Sequence, residues 1–176
     1  DLGVTLAHPV PGTATLRGQA PPDQARTRRA HASHKGSFGD VVVVGGQGLA
    51  VHGAGMTGAA VLAARAAIHA GAGRVFVGLL EAGSSHETAW DPGCPELMFR
   101  RAADLIDAPW LPTASVVCGC GGGSEVATVL PRLLSTARTL VLDADALNKV
   151  AADEALQKQL SNRHSRGWLT VLTPHP

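Results

Sequence analysis

The chain has 176 residues, 45% hydrophobic and 16% charged, which is the bulk and composition of one folded domain with a buried core, not of a disordered tail. A formal net charge of +1, with three Phe, three Trp and no Tyr, provides neither a basic field nor a stacking surface, and so argues against nucleic-acid binding. No apolar run approaches the roughly 20 residues that cross a bilayer, because Arg65 and His69 interrupt the best candidate.

The opening DLGVTLAHPVPG lacks the charged start and apolar core of a signal peptide, so a cytoplasmic location is expected. Asp at the first position and His-Pro at the last do not look like natural termini, and the chain reads as a piece of a longer protein. Residues 1–33 read as an arm containing Pro9, Pro11, Pro21 and Pro22 and the basic run Arg26, Arg28 and Arg29, which is more economically a solvated face than a phosphate site. His34-Lys35-Gly36-Ser37-Phe38-Gly39 frames a lysine between glycines but lacks the spacing of a Walker loop.

Asp40 to Leu80 reads as a βαβ unit. Val41 to Val44 is a β-branched run suited to a parallel strand covered on both faces. Thr57 is expected to cap a helix ending at Gly71, with Val61, Ala64 and Ile68 on one side and Arg65 and His69 on another. Arg74 to Leu80 returns as the second strand. Residues 81–96 read as a long polar surface loop, which makes Glu96 a candidate functional residue and the loop a candidate oligomer contact.

Ser115 to Cys118 is the next predicted strand, ending in Gly119-Cys120-Gly121-Gly122-Gly123. Four glycines in five residues exceed what a turn needs, and they would leave backbone N–H groups open to a ligand at a strand end. A helix over Val126 to Ala137 and a strand over Thr139 to Leu142 deliver Asp143, Asp145 and Asn148 to the same side of the sheet. Asp145 reads as a helix cap, whereas Asp143 is harder to explain structurally. An exposed helix over 151–166 and a strand over Trp168 to Leu172 complete the chain, which closes in Thr173-Pro174-His175-Pro176.

Three other chemistries find little support. Gly53-Ala54-Gly55-Met56-Thr57-Gly58 matches G-x-G-x-x-G with Glu81 after the following strand, but eight residues separate it from Val44, whereas a dinucleotide fingerprint follows its strand directly. His31 and His34 are three apart without a convincing carboxylate companion, so no metal site is expected. Cys94, Cys118 and Cys120 have no paired spacing and read as small buried thiols, and there is no G-x-S-x-G elbow.

H-K-G-S-F-G, M-T-G-A-A-V-L-A-A-R-A-A, P-E-L-M at 95 to 98, G-C-G-G-G, L-D-A-D-A-L-N at 142 to 148 and L-T-P-H-P at 172 to 176 occur in an order that resembles the ADP-dependent NAD(P)H-hydrate dehydratases. The resemblance covers residues 34–176 and implies an α/β, ribokinase-like three-layer sandwich with a mostly parallel sheet, of which the first half or more is present. It implies dehydration of hydrated NADH or NADPH, with ADP as phosphoryl donor and Mg2+ as a candidate companion ion. It also implies a homo-oligomer, and Asp1-Leu2-Gly3-Val4 looks like the end of a fused NAD(P)H-hydrate epimerase domain. Carried over by motif, Ala59, Gly121, Gly123 and His175 would contact the substrate nucleotide, with Asp143 and Asn148 lining the same crevice. Gly122 departs from the usual leucine of G-L-G, which should loosen the turn. The lysine-glycine segment for ADP and the G-T-G-D turn are not in this chain, so the catalytic groups are expected beyond Pro176 and the 176 residues alone are expected to be inactive. A ribokinase-like kinase for a vitamin precursor or sugar, and a non-catalytic binding module, are the alternatives.

Overall fold

The computed structural model describes residues 31–48, 55–80 and 91–174. The chain divides into two units, Asp1–Ser33 and His34–Pro176, and every element named below belongs to the second. Strands β1 (Asp40–Gln47), β2 (Arg74–Leu80), β3 (Met98–Phe99), β4 (Ser115–Cys118), β5 (Thr139–Asp143) and β6 (Leu169–Thr173) form a sheet in the order β3-β2-β1-β4-β5-β6. Every pairing in it is parallel. The helices are α1 (Thr57–His69), α2 (Ala102–Ile106), α3 (Val126–Thr136), α4 (Ala144–Ala152) and α5 (Glu154–Ser165).

Parallel strands need both faces covered, and the valine run of β1 reflects that. On one face Val42, Val44, Val116, Leu140 and Leu142 pack with Leu105, Leu130, Leu133, Leu134, Val150 and Leu156 of α2 to α5. On the other, Val43, Val75 and Val77 pack with Ala60 and Ala64 of α1 and with Cys94 and Leu97. The buried side of α1 is thus an alanine stripe, which lets the helix lie close to the sheet, while Val61 is only partly buried. The strand order reverses direction between β1 and β4, and the chain leaves the carboxyl ends of these neighbours on opposite faces. That is the switch point at which open α/β sheets form a crevice.

Several expectations are revised. Met56, not Thr57, precedes the first turn of α1, and no side chain caps it. The predicted stop at Gly71 holds, with φ +101° and its N–H donating to Ile68 O at 2.9 Å. The stretch read as a polar surface loop is partly core: Asp91 and Cys94 are buried, and Asp91 pairs bidentately with Arg65 at 2.6 and 2.5 Å. Residues 81–90, with Glu81, lie outside the described residues, as do Gly53 and Ala54 of the G-x-G-x-x-G stretch. The helix expected over 151–166 is present as α5 but starts later, at Glu154: residues 151 and 152 end α4, and Asp153, between the two helices, caps α5 by accepting from Ala155 N (2.7 Å) and Leu156 N (3.3 Å). Nor is α5 merely exposed. Arg163 is 1% exposed and donates to Leu134 O, Ala137 O, Leu169 O and Thr170 Oγ1 at 2.7–3.1 Å. Burial pushes its guanidinium pKa downward.

Candidate functional site

The carboxyl ends of β1 and β4 are tied backbone to backbone. β1 continues past Val44 through Gly45 and Gly46 to Gln47, with a register irregularity against β2 between Gly45 and Gln47. Gly46 N donates to Cys120 O at 2.9 Å and Gln47 N to Gly121 O at 2.6 Å, while Gly119 N donates back to Val44 O at 3.2 Å. A side chain on Gly45 would place its Cβ 2.5 Å from Cys120 O, so glycine is required for this approach. Met56 N donates to Gln47 O at 2.8 Å, which sets the first turn of α1 over the same spot.

Ala59 and Gly121 come together here. Gly121 has φ +58°, and a Cβ on it would lie 2.8 Å from Met56 O and 2.9 Å from the Ala59 methyl. Gly123 belongs to the same turn but is held from the side, its N–H donating to Asp145 Oδ2 at 2.8 Å. Asp145, expected as a helix cap, is therefore a brace from the first turn of α4 to a glycine turn 22 residues earlier. Gly122 N donates to Gly119 O at 3.3 Å. The glycine amides of the turn are thus more engaged than composition alone suggests, and that of Gly121 is the one no described residue accepts from.

Asp143, at the end of β5, faces the same edge: its Oδ1 accepts from Thr173 Oγ1 at 2.7 Å. The half-buried Cys120 thiol is pushed up to about 12, first by burial and then by its hydrogen bond to Asp143. Cys118 is pushed up to about 12 by complete burial. Both read as inert thiols at neutral pH.

The other predicted residues fall elsewhere. Asn148 is on α4 at an exposed position, five residues past the strand end. Glu96 is not brought to this edge. It lies exposed in the turn that precedes β3, where, second to burial, it helps push the Cys94 thiol pKa upward. The His34–Gly39 segment forms a one-turn helix at Lys35–Phe38, in which Gly36 N donates to His34 Nδ1 at 3.1 Å. It sits beside Gly73 at the amino-terminal edge, away from the crevice. His175 lies outside the described residues. Among the described residues no group of three or more His, Cys, Asp or Glu is placed to hold a metal ion. Gln47, buried against Gly123, is a crevice residue that the sequence did not single out; the signal was its place directly after the strand glycines.

The order and its reversal by themselves define an open, doubly wound α/β sheet, and likeness to solved structures makes the fold ribokinase-like. The architecture is shared with a ribokinase-like superfamily protein of Enterococcus faecalis, with a TM-score of 0.54 and 21% identity over 85% of this chain and 62% of that one. Residues 31–176 match the family model described as NAD(P)H-hydrate dehydratase, and the chain belongs to that family. Its relatives include an ADP-dependent (S)-NAD(P)H-hydrate dehydratase of Neisseria meningitidis serogroup B, 38% identical over 151 residues, which is 84% of this chain and 47% of the relative. A bifunctional NAD(P)H-hydrate repair enzyme of Coxiella burnetii is 36% identical over 85% of this chain and 28% of its own length. Among solved structures, an ADP/ATP-dependent NAD(P)H-hydrate dehydratase from Bacillus subtilis, co-crystallised with ATP and Mg2+, aligns with a TM-score of 0.50 and 26% identity over 68% of this chain and 42% of that one. The chain spans 28–50% of the length of the curated relatives it matches.

Proposed function

We propose that this chain supplies the substrate-nucleotide side of an ADP-dependent NAD(P)H-hydrate dehydratase. The observation that carries the reading is the meeting of Ala59 and Gly121 at the β1/β4 reversal in a chain of this family. A methyl-sized side chain beside a bare glycine turn leaves room for a flat ring and a backbone N–H to meet it. Gly121 is the donor in this reading, Ala59 the floor of the pocket, and Asp143 the acid that borders it. His175 would join them from the end of β6.

In the reaction proposed, the hydroxyl on C6 of the hydrated nicotinamide attacks the terminal phosphorus of ADP and AMP leaves. The lone pair of the ring nitrogen then expels phosphate from C6, and loss of a proton from C5 restores the double bond of NADH or NADPH. The residues described here would bind and orient the nucleotide. The ADP-binding segment and the turn that stabilises the transferring phosphoryl group belong, in this reading, to sequence following residue 176, so the 176 residues alone would not turn substrate over. Mg2+ would enter with the phosphates of the donor. A fused epimerase domain, a homo-oligomeric assembly and a cytoplasmic setting are parts of the same proposal, the first supported by relatives named bifunctional.

The test is incubation of the complete enzyme with hydrated NADH and ADP. Recovery of reduced-nicotinamide absorbance, with equal release of AMP and phosphate, is expected. Phosphorylation of a thiazole, pyrimidine or sugar alcohol without that recovery would replace the reading by a small-molecule kinase. Binding of nucleotide with no turnover at all would leave a binding module.

A further inference from the structure

Ala144 has φ +29°, a positive value found at no other non-glycine residue among those described. It sits where β5 passes into α4 with no intervening loop. Such backbone is unfavourable for a residue with a Cβ and persists only where the surroundings impose it. At this elbow the two flanking carboxylates take different partners. Asp143 accepts from the Thr173 hydroxyl of β6 and meets the Cys120 thiol, whereas Asp145 reaches the far end of the glycine turn and takes the Gly123 N–H at 2.8 Å. Asp145 lies in the first turn of α4 but is not its capping residue.

Gly123 is clamped from both sides. Opposite Asp145 lies the Gln47 side chain, so near that a Cβ on Gly123 would collide with its Oε1. Gln47 in turn is joined through its own N–H to Gly121 O. A single carboxylate therefore fixes the far end of a turn whose near end is fixed by β1. A carboxylate holding a backbone N–H makes a stronger bond than a neutral acceptor does, and an N–H so held does not serve a ligand as well.

We propose that Asp145 is the positioning residue of the glycine turn: it holds Gly123, withdraws that amide from the ligand, and thereby aims the Gly121 N–H into the crevice. This rests on the functional reading above and narrows it, since family motifs imply either glycine as the contact. The positive φ of Ala144 lies between these two carboxylates, at the residue that joins them.

The test uses the complete enzyme and two variants, Asp145→Ala and Asp145→Asn. In the alanine variant, amide exchange in the peptide covering 119–125 should rise about tenfold, and KM for hydrated nucleotide should rise about tenfold with kcat altered far less, as expected for loss of a charge-assisted hydrogen bond. Asp145→Asn keeps an oxygen acceptor and should restore most of both. Unchanged exchange and unchanged KM in Asp145→Ala would overturn the proposal. If the alanine variant does not fold, Asp145→Ser, whose side chain is one atom shorter, takes its place: a rise in exchange confined to 119–125 supports the role, and no rise refutes it. Failure of the unaltered enzyme to bind hydrated nucleotide would remove the functional reading, while the exchange comparison would still decide whether Asp145 holds the turn.

Discussion

The two edges of the sheet are fastened by different means. At the amino-terminal edge arginine side chains add to the backbone bonds that Gly73 and Arg74 donate to Phe38 O and Gly39 O. Arg74 holds Asp40 at 2.6 and 2.5 Å across the first residues of β1 and β2. Arg163 joins the carboxyl end of α3 to the start of β6 through the carbonyls of Leu134, Ala137 and Leu169. At the carboxyl-terminal edge the ties run from backbone to backbone across glycines, from Gly46 and Gln47 to Cys120 and Gly121. Side-chain ties fill the space they bridge. Glycine ties bring the two backbones into direct contact, so that the carboxyl-terminal edge presents peptide groups where the other also presents charged side chains.

Substitutions can break or sharpen this contrast. Arg163→Met should be the most damaging to stability, by about 3 kcal/mol, because it strands several buried carbonyls at once. Chemical denaturation measures it, and nucleotide affinity of the protein that remains folded should be unaltered; a matching loss of affinity would mean that the edges are not separable. Gly45→Ala, at the opposite edge, should destabilise by about 2 kcal/mol by forcing β1 from Cys120 O, and should also abolish nucleotide binding in a calorimetric titration. Retained affinity there would show that the crevice does not depend on the close approach of β1 and the turn.

A pH effect lies away from both edges. Arg65, followed by the N–H groups of Gly93 and Cys94, holds the Asp91 carboxyl below the ordinary carboxylate range, against the opposing effect of burial. A depressed folded-state pKa gives stability that is present above the unfolded value of about 3.9 and is lost as pH falls through the lower folded value. Melting temperatures of Asp91→Asn and the unaltered chain should therefore differ at neutral pH and converge in strong acid, while convergence on the alkaline side would contradict the assignment. The smallest effect concerns the thiols. With Cys118 and Cys120 both near 12, roughly one molecule in ten thousand carries either thiolate at pH 8. Alkylation of the native protein should be very slow at both, and rapid labelling of Cys120 would show that the turn opens.

What was legible in the sequence follows the same division. The central strands are buried on both faces, so Val41 to Val44, Arg74 to Leu80 and Ser115 to Cys118 stand out as β-branched runs with nearly correct ends. The two residues of β3 and the five of α2 are too short to carry a period and passed unnoticed. The extension of β1 through Gly45 to Gln47 was hidden because glycine marks a turn in composition, whereas here it marks an approach of two backbones. The glycine turn was conspicuous, but its brace was not: nothing local to Asp145 indicates a partner 22 residues earlier. Arg163 was read as surface because charged residues ordinarily are, and its acceptors, carbonyls at a helix end, are invisible to residue type.

Hydrogen exchange of the complete enzyme with and without bound hydrated NADPH compares the two edges most directly. Ligand-dependent protection should appear at residues 45–47, 56–59 and 119–123 and be absent from Lys35–Phe38 and from the first residues of β1 and β2. Protection centred on the amino-terminal edge, with the glycine turn unchanged, would contradict the assignment of the crevice.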